Sequence, residues 1–311
     1  MARRFREHPG RLGKASLSLI GDTFPAGDWV QGPGDDAAAI PDGDGYLLAA
    51  GEAIWPPLVE AEPHAAGVAA VVANVNDVAA MGGRPTAIVD TIVAPESLAR
   101  PILEGLREGA DLYGVPIVGG HLTARDGPPS LSAFILGRAR ALLPATAVAS
   151  GQALLLAACL EGELRHDRLA FSSIAVRGPR LRDDIEVLPR LAESGAALAA
   201  KDVSMAGLLG SLAMLLEPTD TGAAVDLDRI PTPDGVSLAD WVSAFPNFAF
   251  LLTAAPDRAE DVRRPFLDRG LACEVIGAVD ATGILRARLG DEEANLLDVA
   301  REGVTRLRGA G

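Results

Sequence analysis

The chain has 311 residues, 49% hydrophobic and 23% charged, which is enough apolar material for one large core or two of ordinary size. Its formal charge of −14 excludes holding nucleic acid or an anionic membrane by bulk attraction, because either needs a basic face. Apolar runs all fall short of the roughly 18–20 residues of a membrane span, and the basic start Met1 to Lys14 has no apolar segment behind it, so a cytoplasmic protein without a secretory signal is expected.

Alternating patterns predict a strand over Gly45 to Ala50, a helix over Pro63 to Met81 and a strand over Thr86 to Val93. A helix over Pro95 to Tyr113 follows, then strands over Val115 to Val118 and Leu131 to Gly137. "LLPATAVASGQ" interrupts the series, and it restarts with a strand over Ala153 to Ala158. Helices are expected over Val187 to Ala200 and Ser204 to Glu217, strands over Ala223 to Leu227 and Asn247 to Thr253, a helix from Pro256 and a final strand over Ala272 to Val279. Both halves mix helix and strand, so the fold class is α/β with mixed sheets, in two domains spanning 1–148 and 149–311.

Four short stretches carry polar residues where the pattern calls for apolar ones. In "VNDVAAMGG" a helix places Asn74 and Asp77 one turn apart on one face, with Asn76 about 100° around the axis. Gly82 and Gly83 end that helix. A buried carboxylate costs several kcal/mol without a partner, so Asp77 belongs either to a polar network at the helix end or to a metal site. "GDDAA" sets Asp35 beside Asp36 in a glycine turn, where two like charges repel unless a cation offsets them.

The same segment matches G-x-G-x-x-A from Gly32 to Ala37, but two carboxylates would face the pyrophosphate that a dinucleotide loop must attract. The P-loop pattern occurs nowhere in the chain. "VPIVGGHLT" ends a predicted strand in Gly119, Gly120 and His121, where backbone amides can reach a phosphate. "KDVSMAGLLG" puts Asp202 between two predicted helices, with Ser204 as a candidate N-cap. Each of these has an ordinary structural reading when taken singly. An anionic ligand on so acidic a chain is served best by carboxylates that recruit divalent cations.

In order and spacing these stretches resemble the superfamily of aminoimidazole-ribonucleotide synthetase. That group includes thiamine-monophosphate kinase, selenophosphate synthetase and the hydrogenase-maturation protein that dehydrates a carbamoyl group. The resemblance implies an N-terminal domain that dimerises through its strands, a C-terminal α/β domain, and ATP held through several Mg²⁺ ions. It makes Asp36, Asp77 and Asp202 the magnesium ligands. Glu52 in "LLAAGEAIW" stands where relatives carry an aspartate. Gly119, Gly120 and His121, with Asn76 and Ser204, match nucleotide-contacting positions, and Lys14 in "RLGKAS" matches a phosphate-contacting lysine, a point charge on the triphosphate. The chemistry implied is phosphoryl transfer by positioning and charge neutralisation, with Asp77 and Lys14 as its catalytic groups.

The chain also departs from each relative. His121 replaces the aspartate of the kinases and is the residue of selenophosphate synthetases, yet Arg11, Leu12 and Gly13 precede Lys14 where those synthetases place a reactive cysteine or selenocysteine. The end "RLRGAG" lacks the cysteine tail of the hydrogenase-maturation protein. Three classes therefore stay open: an ATP-dependent kinase or synthetase acting on a small molecule, a selenophosphate-synthetase-like enzyme, and a catalytically silent ATP-binding partner protein. Arg165, Arg168, Arg177, Arg180 and Arg182 are expected to form either a solvated loop or a gate over an anionic substrate. "AFPNFAFLLTA" reads as a buried strand, and Cys159 and Cys273 as buried small hydrophobes.

Overall fold

Alternation of period two and the turn glycines set most of the strands that the computed structural model shows. It describes residues 1–24, 34–165, 167 and 169–307; Gly32 and Arg168 lie outside them. Helices α1 (Ala2–Arg6), α2 (Pro9–Gly13) and α3 (Ser18–Thr23) come first. Strands β1 (Ala38–Asp42) and β2 (Gly45–Ala53), helices α4 (Pro56–Ala61) and α5 (Pro63–Ala80), strand β3 (Arg84–Ala94), helix α6 (Glu96–Tyr113), and strands β4 (Ile117–Ala124) and β5 (Ser130–Ala139) follow. These strands form a five-stranded sheet in the order β1-β2-β5-β3-β4, antiparallel except where β3 meets the edge strand β4.

The second half runs β6 (Ala153–Ala158), β7 (Glu163–Arg165), β8 (Ala170–Ser172), α7 (Ile174–Arg177), α8 (Arg180–Ile185), α9 (Val187–Glu193), β9 (Ala199–Asp202) and α10 (Gly207–Leu216). It ends with β10 (Gly222–Asp226), α11 (Leu238–Trp241), β11 (Phe245–Pro246), β12 (Ala249–Ala254), α12 (Ala259–Leu267), β13 (Ala272–Asp280), β14 (Ile284–Leu289) and β15 (Glu292–Asp298). Its main sheet has seven strands in the order β15-β14-β10-β13-β6-β12-β9, so Asp202 closes an edge strand. A small sheet of β11, β8 and β7 stands beside it.

Helix α5 joins the two halves. It is Ala/Val-rich and buried around most of its circumference, because it lies on β2 and β5, packs along α6 and reaches β9 and α9. Its contact with α6 is close enough that a Cβ at Gly67 would stand 2.3 Å from the Ile102 carbonyl oxygen, and one at Gly105 2.0 Å from that of His64. Only glycine permits that approach. Along β6, Leu155 and Ala157 enter the core shared with α5, whereas Leu154, Leu156 and Ala158 enter a second core with α10 and Trp241. A strand buried on both faces must read as an unbroken apolar run, as this one does. The N-terminal helices dock on the second half: Phe5 joins its core, Arg4 pairs with Asp240 at 2.5 Å, and His8 Nε2 lies 3.0 Å from the Ser243 carbonyl oxygen.

Several expectations are corrected. The helix over Val187 to Ala200 ends at Glu193, and Ala199–Asp202 is a strand paired with Thr253 to Phe250. Gly195 at φ +63° turns the chain, and pairing with β12 outweighs the helix preference of the alanines. Asp202 therefore ends a strand rather than linking two helices. Strand β4 starts later than expected and runs through Gly119, Gly120 and His121 instead of ending there, with Gly119 opposite Val89 and His121 opposite Thr91. Two strands follow the one expected to be last.

Ser204 is not a cap. Helix α10 starts at Gly207, and the Ser204 N–H donates to Ser211 Oγ at 2.9 Å. The arginine stretch is not a solvated loop at Arg177, which is 3% exposed and donates from Nε and Nη2 to Asp184 Oδ2 at 2.8 and 2.6 Å. Arg165 pairs with Glu62 at 2.9 Å. Cys159 and Cys273 are buried free thiols, and β12 is buried throughout, as read from the sequence. No helix among the described residues is long and apolar enough to cross a membrane.

Candidate functional site

Three carboxylates from three distant stretches meet. Asp36 comes from the bend before β1, Asp77 from the last turn of α5 and Asp202 from the end of β9, and each offers an oxygen within 4.8 Å of the others. Local structure explains each placement. Helix α5 must stop where it does because Gly82, at φ +80°, turns the chain into β3. Asp35 anchors the bend by accepting the Ala145 N–H at 2.9 Å and the Asp36 N–H at 3.0 Å, which leaves the Asp36 side chain turned to β9. There Asp36 Oδ2 accepts the Asp202 N–H at 3.2 Å.

Sequence reasoning missed one member of the cluster. The ammonium of Lys201 donates to Asp36 Oδ1 and, at 3.1 Å, to Asp202 Oδ1. Its side chain is 7% exposed and that of Asp36 4%. The signal available was a lysine next to an aspartate at the end of the small apolar run "ALAA", where a strand would bury both.

Burial and mutual repulsion dominate the electrostatics. Desolvation pushes the Asp36 carboxyl up to about 7; Lys201 opposes this, and the neighbouring Asp202 and Asp35 add to it. Burial, then the charges of Asp202, Asp36 and Glu52, hold the Asp77 carboxyl well above the usual carboxylate range. Burial raises Glu52 as well, with Lys14 pulling it down and Asp202 pushing it up. Lys14 and Glu52 thus act on one another at the margin of the trio, although Lys14 belongs to an N-terminal segment packed on the second half. For Lys201, the partners Asp36, Asp202 and Asp77 outweigh the burial that lowers it, so its pKa rises and it stays charged.

Asn76 extends the site toward the second half: its Nδ2 donates to the Asn247 carbonyl oxygen at 2.9 Å, while its Oδ1 is buried without a hydrogen-bond partner among the described residues. Asn74 instead braces the helix, donating to the carbonyls of Ala70 at 2.8 Å and Ala133 at 3.2 Å. Gly119, Gly120 and His121 are not part of the trio. They lie exposed on β4, with His121 Nε2 3.2 Å from Thr123 Oγ1 and Gly120 packed over Asp90.

The donor set suits a hard divalent cation. All three groups are carboxylates, oxygen donors of the kind Mg²⁺ selects, and carboxylate oxygens on one Mg²⁺ at about 2.1 Å each stand roughly 3–4 Å apart. The trio needs only small side-chain adjustments to reach that spacing. With one lysine among three carboxylates, negative charge is left over for a cation to balance.

Comparison with known proteins bears on the family and the fold. An uncharacterised protein from Synechocystis sp. is 37% identical over 279 residues, covering 89% of this chain and 87% of that one. The structure of T. maritima PurL complexed with ATP superposes with a TM-score of 0.72 at 23% identity, over 86% of this chain and 46% of that one, so the chain spans under half of that relative. AaThiL complexed with AMPPCP and TMP superposes with a TM-score of 0.70 at 18% identity, over 91% of this chain and 96% of that one. At these identities the superpositions show the fold. Models for the N-terminal and C-terminal domains of AIR synthase related proteins match residues 34–139 and 149–290 in turn, and this chain belongs to that family.

Proposed function

We propose that this protein is a Mg²⁺-ATP-dependent enzyme, a kinase or synthetase that phosphorylates or activates an oxygen of a small molecule. The observation that carries the reading is the convergence of Asp36, Asp77 and Asp202 within 4.8 Å, from elements far apart in the chain. Support comes from relatives of the same fold solved with ATP or its analogue AMPPCP. These carboxylates, with Glu52 at the margin, would hold Mg²⁺, which would supply positive charge to offset the phosphates.

The chain's own groups then position the nucleotide. Lys14 supplies a point charge toward the triphosphate, Asn76 holds the end of α5 against the second half, and Ser204 fixes the turn after Asp202. The exposed backbone of Gly119, Gly120 and His121 offers polar groups to the nucleotide. We assign residues 1–148 and 149–311 as the two domains, with the site where they meet.

The protein is also proposed to form a homodimer through the open face of its five-stranded sheet. Val89, Phe134 and Leu136 stand 40–46% exposed on β3 and β5, and an apolar patch on a sheet face is the usual mark of an interface.

The test is calorimetric titration with ATP, with and without Mg²⁺, followed by identification of nucleotide products against a panel of small-molecule acceptors. Mg²⁺-dependent binding with ADP formed supports the reading. AMP indicates the selenophosphate-synthetase-like reaction, binding without turnover indicates a silent partner protein, and no Mg²⁺-dependent binding removes the site.

A further inference from the structure

We propose that the Lys201 ammonium is the resident cation of the carboxylate trio: it fills the place between Asp36 and Asp202 that a divalent ion would bridge, and so limits the trio to one divalent ion. The inference rests on reading the trio as a divalent-cation site.

The hydrogen bonds divide the trio unequally. Both oxygens of Asp36 are used by the protein, Oδ1 by Lys201 Nζ and Oδ2 by the Asp202 backbone N–H at 3.2 Å. Asp202 gives Oδ1 to the same ammonium at 3.1 Å. Asp77, 7% exposed, makes no side-chain hydrogen bond among the described residues, so its two oxygens and the remaining one of Asp202 are the open donors.

Strand register fixes the lysine in this position. Lys201 lies opposite Leu251 in β12 and follows two fully buried alanines, so strand pairing and core packing set the position from which its side chain reaches the trio. A buried ammonium needs partners on every side that has no water, and the partners here are carboxylates of the site itself. Fully ionised, as in the metal-bound state, three carboxylates and one ammonium carry two negative charges, which a single divalent ion balances. That ion would sit on the Asp77 side. A second ion between Asp36 and Asp202 would place like charges within about 4 Å of the ammonium, a strongly unfavourable contact in a site this dry. Lys201 is thus a positioning residue, setting the number and place of metal ions without being a ligand.

The experiment uses Mn²⁺ alone as the probe, with no nucleotide, on the full chain. Free Mn²⁺ is followed by electron paramagnetic resonance, and thermal unfolding is recorded in EDTA and in saturating Mn²⁺. Wild type should take one Mn²⁺ per chain. Lys201→Met should take a second ion or bind at least about tenfold tighter. The same variant should melt lower in EDTA and gain more from Mn²⁺ than wild type does. Lys201→Gln carries the same expectation and guards against a packing fault peculiar to methionine, and Lys201→Arg, which keeps the charge, should restore the wild-type stoichiometry.

Equal stoichiometry and affinities within twofold for wild type, Lys201→Met and Lys201→Gln would overturn the inference, as would no Mn²⁺ binding by any of them. If Mg²⁺-ATP binding persists while the Mn²⁺ titrations are indistinguishable, Lys201 loses this role and the nucleotide reading stands. Failure to bind nucleotide under any metal condition removes the nucleotide reading, whatever the Mn²⁺ titrations give.

Discussion

Asn76 donates from Nδ2 to the carbonyl oxygen of Asn247 at 2.9 Å, and Asn247 in turn accepts at Oδ1 from the backbone N–H and hydroxyl of Ser173 at 2.6 and 3.0 Å. This relay ties the last turn of α5, which carries Asp77, to the segment leading into β12, the strand paired with the edge strand that carries Asp202. The distance between two of the carboxylates is therefore held by one side-chain amide as well as by the cores. Replacing Asn76 with alanine leaves the Asn247 carbonyl short of a donor and should cost about 1–2 kcal/mol. Chemical denaturation measures that loss, and Mg²⁺-dependent ATP affinity should fall with it. An unchanged stability would show that the amide is replaced by water at no cost.

Among the described residues Asp77 makes no side-chain hydrogen bond, and it faces the charges of Asp202, Asp36 and Glu52. In the metal-free protein its charge opposes folding, so Asp77→Asn should raise the melting temperature in EDTA. The same change removes an open oxygen donor and should weaken Mg²⁺-dependent ATP binding about tenfold or more. Effects of opposite sign on stability and ligand binding separate a ligand-holding carboxylate from one that braces the fold. A drop in both would place Asp77 in a structural network.

The raised carboxyls set a pH dependence. Asp36 is pushed up to about 7 in the folded chain against about 3.9 when unfolded, so between those values the native state binds more protons than the unfolded one. Metal-free stability should therefore fall as pH rises from about 4 to about 7 and then level off, with Asp77 adding in the same direction. Lys201 remains charged across this window and does not contribute to the slope. Melts in EDTA at intervals from pH 5 to pH 8 measure it. Asp36→Asn should flatten the slope, and an identical slope in that variant would remove Asp36 as its source. Divalent cations should stabilise more strongly at the upper end, where the ligands are ionised.

Phe134 stands 46% exposed on β5, opposite both Gly51 and Val89, in the middle of the open sheet face. Phe134→Asp puts a charge into that patch without touching the core on the other side of the sheet. Light scattering should show the mass fall from dimer to monomer, with far-ultraviolet circular dichroism retained. A variant that keeps the wild-type mass would exclude this face as the interface.

The elements with strong local signals were legible in the sequence. Helix α5 appears in it because Pro63 opens and Gly82 closes a long run interrupted only by Gly67, and β6 and β12 because unbroken apolar runs of strand length admit few alternatives. The stretch Ala199–Asp202 misled, since its alanines favour helix and only pairing with β12 makes it a strand. The two strands beyond Asp280 were not expected either. β15 is mostly exposed and acidic, and its pairing with β14 supplies an order that local pattern does not.

The sequence by itself determined which residues carry charge inside apolar surroundings, and so marked Asp36, Asp77 and Asp202 as groups in need of a partner. It also determined the family, through motifs kept in order. Only the tertiary structure decided what that partner is, because Lys201 meets Asp36 from 165 positions away along the chain and nothing local encodes the contact. Burial then gave the meeting its force: four groups that would be independent in water become, once desolvated and a few ångströms apart, a single electrostatic unit.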